Sequence, residues 1–142
     1  MEHRLYIGLG SNLGDRKALI EEALQLIDER IGQVSRVSSY YETEPWGFQS
    51  DNRFLNAAAL VLTNLSPRKC LKETQRIERL LGRTEKSTDG IYHDRTIDID
   101  LLLYDDLHIE EPDLVIPHPH IEERDFVRLP LQEILFDFPN EN

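Results

Sequence analysis

The stretch DRTIDIDLLLYDD, residues 94–106, predicts the β-strand on which the fold and the chemistry of this chain depend. Successive side chains of an extended chain point to opposite faces, so Asp98 and Asp100 share one face while Ile97 and Ile99 share the other. The leucines that follow Asp100 continue without polar alternation, which indicates that both faces are covered further along the strand. The strand therefore has an acidic end and a buried end.

Two interpretations of the acidic pair are open on these residues alone. Carboxylates roughly 6–7 Å apart along a strand repel each other unless water or a cation lies between them. One interpretation is a solvated, acidic sheet face, and the other is a site for a divalent cation that prefers oxygen ligands. Asp105 and Asp106, at the far end of the stretch, are expected to form a turn.

Hydrophobic periodicity and turn signals divide the chain into strands and helices. In order, the patterns predict a strand at residues 4–10, a helix through residues 20–31, strands at residues 33–45 and 53–64, a helix at residues 66–82, the aspartate strand, two short segments at residues 108–117 and a last helix at residues 126–135. This is the βαββαβ order of a ferredoxin-like α+β domain, an antiparallel sheet with helices packed on it, followed by additional C-terminal strands and a helix. We expect one domain over residues 1–142.

End signals bound the first two predicted helices. Asn12 or Asp15 is suited to cap the first helix, and Ser66, followed by proline, caps the second. Gly32 and Gly82 are the expected stops. The buried stripe of the second helix is expected to consist of Cys70, Thr74, Ile77, Leu80 and Leu81.

Composition limits the classes of partner. The chain has 27 acidic and 16 basic residues, a formal net charge of -11, and phosphate polymers are bound by basic faces, so nucleic acid is not expected as a partner. A local cation cluster can still hold a small anion. The apolar runs are too short to cross a bilayer and no signal peptide is recognised, so a soluble, cytoplasmic protein is expected. A single cysteine, Cys70, is better explained as buried filler than as a nucleophile.

Cationic side chains gather on both sides of the acidic pair in sequence. They are Arg83, Lys86, Arg95, His118, Arg124 and Arg128. Metal-bound carboxylates together with arginines suit phosphoryl transfer, because that chemistry depends mainly on positioning and charge neutralisation. Two metal ions could share one carboxylate pair.

The segment ETEPWGFQSDNRFLN, residues 42–56, adds aromatic side chains and an amide. Phe54 and Asn56 share a strand face, and a ring beside an amide suits a planar heterocycle, which can stack and present hydrogen-bonding edges. The alternative on the same residues is a core phenylalanine and an asparagine that bonds within a turn.

Five motifs, in this order and spacing, resemble the 6-hydroxymethyl-7,8-dihydropterin pyrophosphokinase family of folate biosynthesis. They are GLGSNLGDR, YETEPWG followed by FLNAA, TQRIERLLGR, RTIDIDLLLY and IPHPHIEERDFVRLPL, and they cover nearly the whole chain. The resemblance implies a ferredoxin-like fold and a diphosphokinase that transfers pyrophosphate from ATP to the hydroxymethyl oxygen of the pterin. Attack falls on the β-phosphorus and the leaving group is AMP.

The resemblance also implies the roles of individual residues. Mg²⁺, two ions per site, is held by Asp98 and Asp100. The catalytic residues are Arg83, Arg95, Asp98 and Asp100. The ATP-binding residues are Gln75, Glu78, Arg83, Lys86, Arg95, Ile99, His118 and Arg124. The pterin-binding residues are Thr43, Glu44, Pro45, Trp46, Phe54, Asn56, Asp98 and Phe126, with the two phenylalanines on either side of the ring. A monomer is expected, with other oligomeric states left open.

Two rival hypotheses remain distinguishable. A non-catalytic ferredoxin-like module would bind a nucleotide or heterocycle without Mg²⁺ and would give no reason for Asp98 and Asp100 to share a face. A nuclease that uses the acidic pair is disfavoured by the net charge of -11.

Overall fold

The computed structural model describes residues 2–43, 53–82 and 97–135. Its elements are β1 His3–Ser11, α1 Arg16–Arg30, β2 Gly32–Val37, β3 Tyr41–Thr43, β4 Phe54–Thr63, α2 Pro67–Leu80, β5 Asp98–Tyr104, β6 Ile109–Glu111, β7 Leu114–Ile116 and α3 Asp125–Leu135. None of the helices in these ranges is long and apolar enough to span a membrane.

The main sheet is antiparallel, in the order β2-β4-β1-β5, with β3 also paired to β4. This agrees with the ferredoxin-like pattern expected from the element order, and the predicted α+β class is confirmed. The single strand predicted at residues 33–45 is divided into β2 and β3, which pair with different parts of β4. Ser38 bridges them, because its N–H donates to the Ala58 carbonyl and its hydroxyl accepts the Ala58 N–H.

Helices cover both faces of the sheet. On one face, α1 and α2 bury a core that includes Leu5, Ile7 and Ile27. On the other face, α3 packs on a second cluster that includes Tyr6 and Leu102. The two faces of β1 therefore both lie under apolar side chains along its first half.

The leucine run of β5 is explained by a register shift. Ile7 pairs with Leu101 and Tyr6 pairs with Leu103, so Leu102 is an extra residue in β5. Leu102 and Leu103 both pack on the α3 side of the sheet, and Leu102 is fully buried. The expectation that both faces are covered at this end is confirmed.

Most of the predicted helix ends are found where the sequence signals lie. The Asp15 carboxylate accepts the Ala18 N–H, Ser66 caps α2, and Gly82 follows α2 with φ 102°. Gly32 lies at the start of β2, where a Cβ would come 2.1 Å from the Leu62 carbonyl oxygen, so a close backbone approach requires glycine there.

The predicted buried stripe of α2 is wrong at one position. Cys70, Thr74 and Ile77 are buried, but Leu80 is 56% exposed. Glu78 is buried in its place because its carboxylate bonds to β5. The face of α2 that meets the sheet is therefore partly polar.

Candidate active site

Three neighbouring strands place one residue each in a row across the sheet. Gly10 of β1 pairs with Asn56 of β4 on one side and with Asp98 of β5 on the other. Directly paired residues of antiparallel strands project to the same face, so Asn56 and Asp98 flank Gly10 on one face. This row, Asn56–Gly10–Asp98, lies on the same side of the sheet as α3, at the end opposite to the buried leucines of β5.

Gly10 lies buried at the centre of the row, where a side chain would crowd its neighbours. A Cβ at this position would lie 3.0 Å from Asn56 Oδ1 and 3.5 Å from Cδ1 of Phe54. The buried Gly10 backbone thus lies among an amide, an aromatic ring and a carboxylate, with no side chain of its own. The sequence alone does not distinguish Gly10 from the other glycines of the GLGSNLGDR motif, because its place in the site depends on the register of two strand pairs.

The orientation of the Asn56 side chain is fixed by β3. Its Nδ2 donates to Thr43 Oγ1 at 2.8 Å and to the Tyr41 carbonyl at 3.3 Å. A carbonyl only accepts, so the amide nitrogen must face β3 and Oδ1 must face Gly10. Asn56 lies within β4 and not in a turn, and its oxygen is held as a hydrogen-bond acceptor.

The acidic pair has the predicted geometry. Asp98 and Asp100 are half-buried on one face of β5, and Ile97 and Ile99 are buried in the core on the other. Asp105 and Asp106 form the expected turn, in which Asp105 has φ 50°. The residues described contain no cluster of three or more metal-ligating side chains. Two carboxylates fit Mg²⁺ nonetheless, because this ion keeps several waters and takes further oxygens from phosphates.

Glu78 holds the backbone between the two aspartates. β5 is an edge strand in the part of the chain that the structure describes, and the Ile99 N–H that points away from β1 donates to Glu78 Oε2 at 2.7 Å. The Ile99 side chain is in the core, so any contact of this residue with a ligand is left to its backbone. Gln75, one turn before Glu78 on α2, is half-buried.

His118 follows β7 and is kept neutral. Its backbone N–H donates to the Leu102 carbonyl, and its Nδ1 accepts the N–H of His120 at 3.2 Å. Burial lowers the pKa of His118 to about 4, with further lowering by Arg124 and His120 and an opposing effect of Asp98. At neutral pH the ring is uncharged and carries its hydrogen on Nε2.

Arg124 and Phe126 lie together at the start of α3. Arg124 is 9% exposed, and its Cζ lies 5.8 Å from the centroid of the Phe126 ring, within cation–π range. Phe126 is half-buried at the margin of the cluster beneath α3. Arg128, another of the gathered cations, bonds instead to Asp125 on its own helix.

The described residues include only part of the predicted site. They include Thr43, Phe54, Asn56, Gln75, Glu78, Asp98, Ile99, Asp100, His118, Arg124 and Phe126. The predictions for Glu44, Pro45, Trp46, Arg83, Lys86 and Arg95 lie outside the described residues.

The sequence relatives identify the class. The chain is 50% identical over 131 residues to the 2-amino-4-hydroxy-6-hydroxymethyldihydropteridine pyrophosphokinase of Porphyromonas gingivalis, which covers 92% of this chain and 89% of the relative. It is 43% identical over 135 residues to the Bacillus subtilis protein of the same name, covering 94% and 79%. The chain is therefore an enzyme of the pyrophosphokinase class.

The sequence model of the 7,8-dihydro-6-hydroxymethylpterin-pyrophosphokinase (HPPK) family matches residues 6–136. The chain belongs to this family, as the five motifs predicted, and the expected enzyme of folate synthesis is confirmed.

Solved structures agree in fold. A crystal structure of an HPPK-DHPS in complex with substrates matches with a TM-score of 0.76 at 15% identity, and the match covers 94% of this chain and 40% of that one. The wild-type Plasmodium falciparum HPPK-DHPS with pteroate matches with a TM-score of 0.72 at 18% identity, over 94% and 39%. This chain thus spans about two fifths of those longer chains, and at such identities the match supports the fold alone.

Proposed function

We propose that this chain transfers the pyrophosphoryl group of ATP intact to the hydroxymethyl oxygen of 6-hydroxymethyl-7,8-dihydropterin, giving the pterin diphosphate and AMP. The row Asn56–Gly10–Asp98 carries the proposal. It offers a fixed acceptor and a carboxylate on either side of bare backbone, two strand spacings or roughly 10 Å apart. In the proposal a flat bicyclic heterocycle lies against this row, with its reactive arm directed to the acidic end.

In this proposal the pterin is recognised by one edge and two faces. Asn56 Oδ1 accepts a hydrogen bond from a ring N–H, and Phe54 and Phe126 flank the ring. The backbone at Thr43 reads the remaining edge. Glu44, Pro45 and Trp46, which follow Thr43 in sequence, are proposed to complete this subsite.

The acidic pair is proposed to hold Mg²⁺, two ions per site. Bound Mg²⁺ neutralises phosphate charge and orients the phosphates for in-line attack. The residues proposed to bind ATP are Gln75, Glu78, Arg83, Lys86, the Ile99 backbone, Arg95, His118 and Arg124. A neutral His118 can donate its Nε2 hydrogen to a phosphate oxygen, while Arg124, with the catalytic Arg83 and Arg95, supplies positive charge.

The same proposal includes a single domain over residues 1–142, since one family match runs through residues 6–136. It also includes a cytoplasmic monomer with no nucleic-acid or membrane partner. The net charge of -11 supports the exclusion of nucleic acid, because it repels phosphate polymers.

The direct test is to supply Mg-ATP and the hydroxymethyl dihydropterin and to separate the nucleotides. The proposal requires AMP and the pterin diphosphate in equal amounts. ADP in place of AMP, or no turnover, would refute it, and nucleotide binding without Mg²⁺ dependence or turnover would favour a non-catalytic binding module.

The metal assignment has a separate test with a matched control. Asp98→Asn and Asp100→Asn should each raise the activation free energy by about 3 kcal/mol through lost charge stabilisation, which lowers kcat on the order of 10²-fold. Circular dichroism should show that the fold is intact. Asp106→Asn changes an exposed turn carboxylate and should leave kcat unchanged. Normal turnover in either active-site variant would show that the pair does not hold the metal.

A further inference from the structure

Glu133 ties the third helix to the strand that orients Asn56. The carboxylate of Glu133 accepts hydrogen bonds from the Ser39 N–H at 2.8 Å, the Ser39 hydroxyl at 2.9 Å and the Tyr41 hydroxyl at 2.8 Å. Burial acts to raise the pKa of Glu133, but these bonds outweigh it and hold the pKa below its ordinary value. The group is thus an ionised acceptor at neutral pH, and bonds of this kind are among the stronger ones in proteins.

The strand it holds has little other support. β3 has three residues, and in the described part of the chain its strand partner is β4, through Tyr41 opposite Asn56 and Thr43 opposite Phe54. A three-residue edge strand frays readily unless side chains fix it. Through Tyr41 and Ser39, the contacts of Glu133 attach β3 and the segment just before it to α3.

Both hydrogens of the Asn56 amide end on this same strand. They are accepted by the Tyr41 carbonyl and by Thr43 Oγ1, and the bonds leave Oδ1 facing Gly10. A shift of β3 would release the amide to rotate. The direction of the acceptor therefore depends on where β3 is held.

We infer that Glu133 is a positioning residue for the pterin site, which holds β3 so that Asn56 presents its oxygen to the heterocycle. The inference rests on the proposed function and deepens it. Phe126 lies seven residues before Glu133, close to two helical turns. One helix therefore carries both a ring proposed to flank the pterin and the residue that holds the strand bonded to Asn56. The contacts of Glu133 are to Ser39 and Tyr41, so its proposed effect on the pterin is indirect.

The test compares Glu133→Ala, Glu133→Gln and Tyr41→Phe with Gln132→Ala, an exposed neighbour on the same helix. For each variant we would measure KM for the pterin, KM for Mg-ATP, the melting temperature and the hydrogen exchange of the Asn56 side-chain amide by NMR. The last readout reports the positioning itself and needs no turnover.

Glu133→Ala should raise the pterin KM roughly tenfold, the value of about one strong hydrogen bond, with the ATP KM within about twofold. Its Asn56 amide should exchange faster. Glu133→Gln should restore the pterin KM to within about threefold, because its oxygen can accept from Ser39 while its NH₂ donates to the Tyr41 hydroxyl. Tyr41→Phe should be intermediate, and Gln132→Ala should match the wild type.

The inference is overturned if Glu133→Ala lowers only the melting temperature, or if both KM values rise together. Should that variant fail to fold, an unchanged pterin KM and unchanged Asn56 exchange in Tyr41→Phe would overturn it equally. If the wild type gives no AMP, the proposed function fails, and Asn56 exchange in Glu133→Ala still decides the positioning.

Discussion

Replacing Gly10 with alanine tests the centre of the proposed pterin site. The added methyl group would lie 3.0 Å from Asn56 Oδ1 and 3.5 Å from Phe54 Cδ1, so it would crowd the two side chains that are proposed to contact the pterin ring. The nearest neighbours are side-chain atoms and not backbone, so the strain falls on the Asn56 amide and the Phe54 ring rather than on the strand pairing. We therefore expect the variant to fold but to bind the pterin poorly.

The magnitude follows from the contacts that the methyl group displaces. One hydrogen bond to Asn56 contributes about 1 kcal/mol, and a displaced aromatic contact contributes about 1 kcal/mol more. The sum, about 2 kcal/mol, corresponds to a decrease of roughly 30-fold in kcat/KM for the pterin. Affinity for a non-hydrolysable ATP analogue should remain within about twofold.

The assay is steady-state turnover with the pterin varied at saturating Mg-ATP, accompanied by calorimetric titration of the ATP analogue. Gly8→Ala is the matched control, since the atoms nearest to its methyl group would be those of the Leu102 side chain, at 3.5 Å or more, which is ordinary contact. It should keep the pterin kcat/KM within about threefold. An unchanged kcat/KM in Gly10→Ala, or an equal loss of nucleotide affinity, would refute the position assigned to the ring.

Gly32→Ala should lower the free energy of unfolding by about 2–3 kcal/mol in urea titrations, because its Cβ would lie 2.1 Å from the Leu62 carbonyl oxygen; an unchanged midpoint would contradict this. Burial raises the pKa of the Cys70 thiol to about 11, so a disulfide reagent at pH 8 should label it only after unfolding, and rapid labelling of the native protein would disprove the assignment. The Arg4 N–H lowers the pKa of Asp105, so wild-type stability should fall as the pH drops through that lowered pKa. Asp105→Asn should lack this loss, so the free energies of unfolding of the variant and the wild type, measured from pH 2 to 6, should converge in acid. A difference that stays constant over this pH range would contradict the prediction.

The fold could be predicted because its signals are local. Asp15, Ser66 and Gly82 act within one turn of chain, through a cap or a positive φ, and the structure shows each of them doing so. Strand alternation likewise sufficed to put Asp98 and Asp100 on one face.

The errors arise where a distant contact overrides a local pattern. Leu80 fits the apolar stripe of α2 but is exposed, because Glu78 turns the helix face toward the edge of β5. The strand predicted at residues 33–45 is divided in two, because Ser38 bonds to both backbone groups of Ala58. In both cases the deciding contact is remote in sequence, since Ile99 lies 21 residues from Glu78 and Ala58 lies 20 residues from Ser38.

The candidate site shows the same limit. Its residue types were apparent from sequence, but the row Asn56–Gly10–Asp98 exists only through the register of three strands. Glu133 carried no signal at all, because a glutamate on an amphipathic helix usually faces water. A residue that acts by holding another element can be recognised only once that element is in place.

The acidic pair lies on a strand whose outer edge has to be protected from pairing with other chains. Edge strands expose unpaired N–H groups that invite pairing with other chains, and among the described residues β5 is such a strand. The bond from the Ile99 N–H to Glu78 removes one of these donors and covers it with α2. The same bond fixes the backbone between Asp98 and Asp100, so the separation of the two carboxylates is set by a strand that cannot slide. A contact that protects the sheet edge thus also fixes the backbone spacing of the two carboxylates.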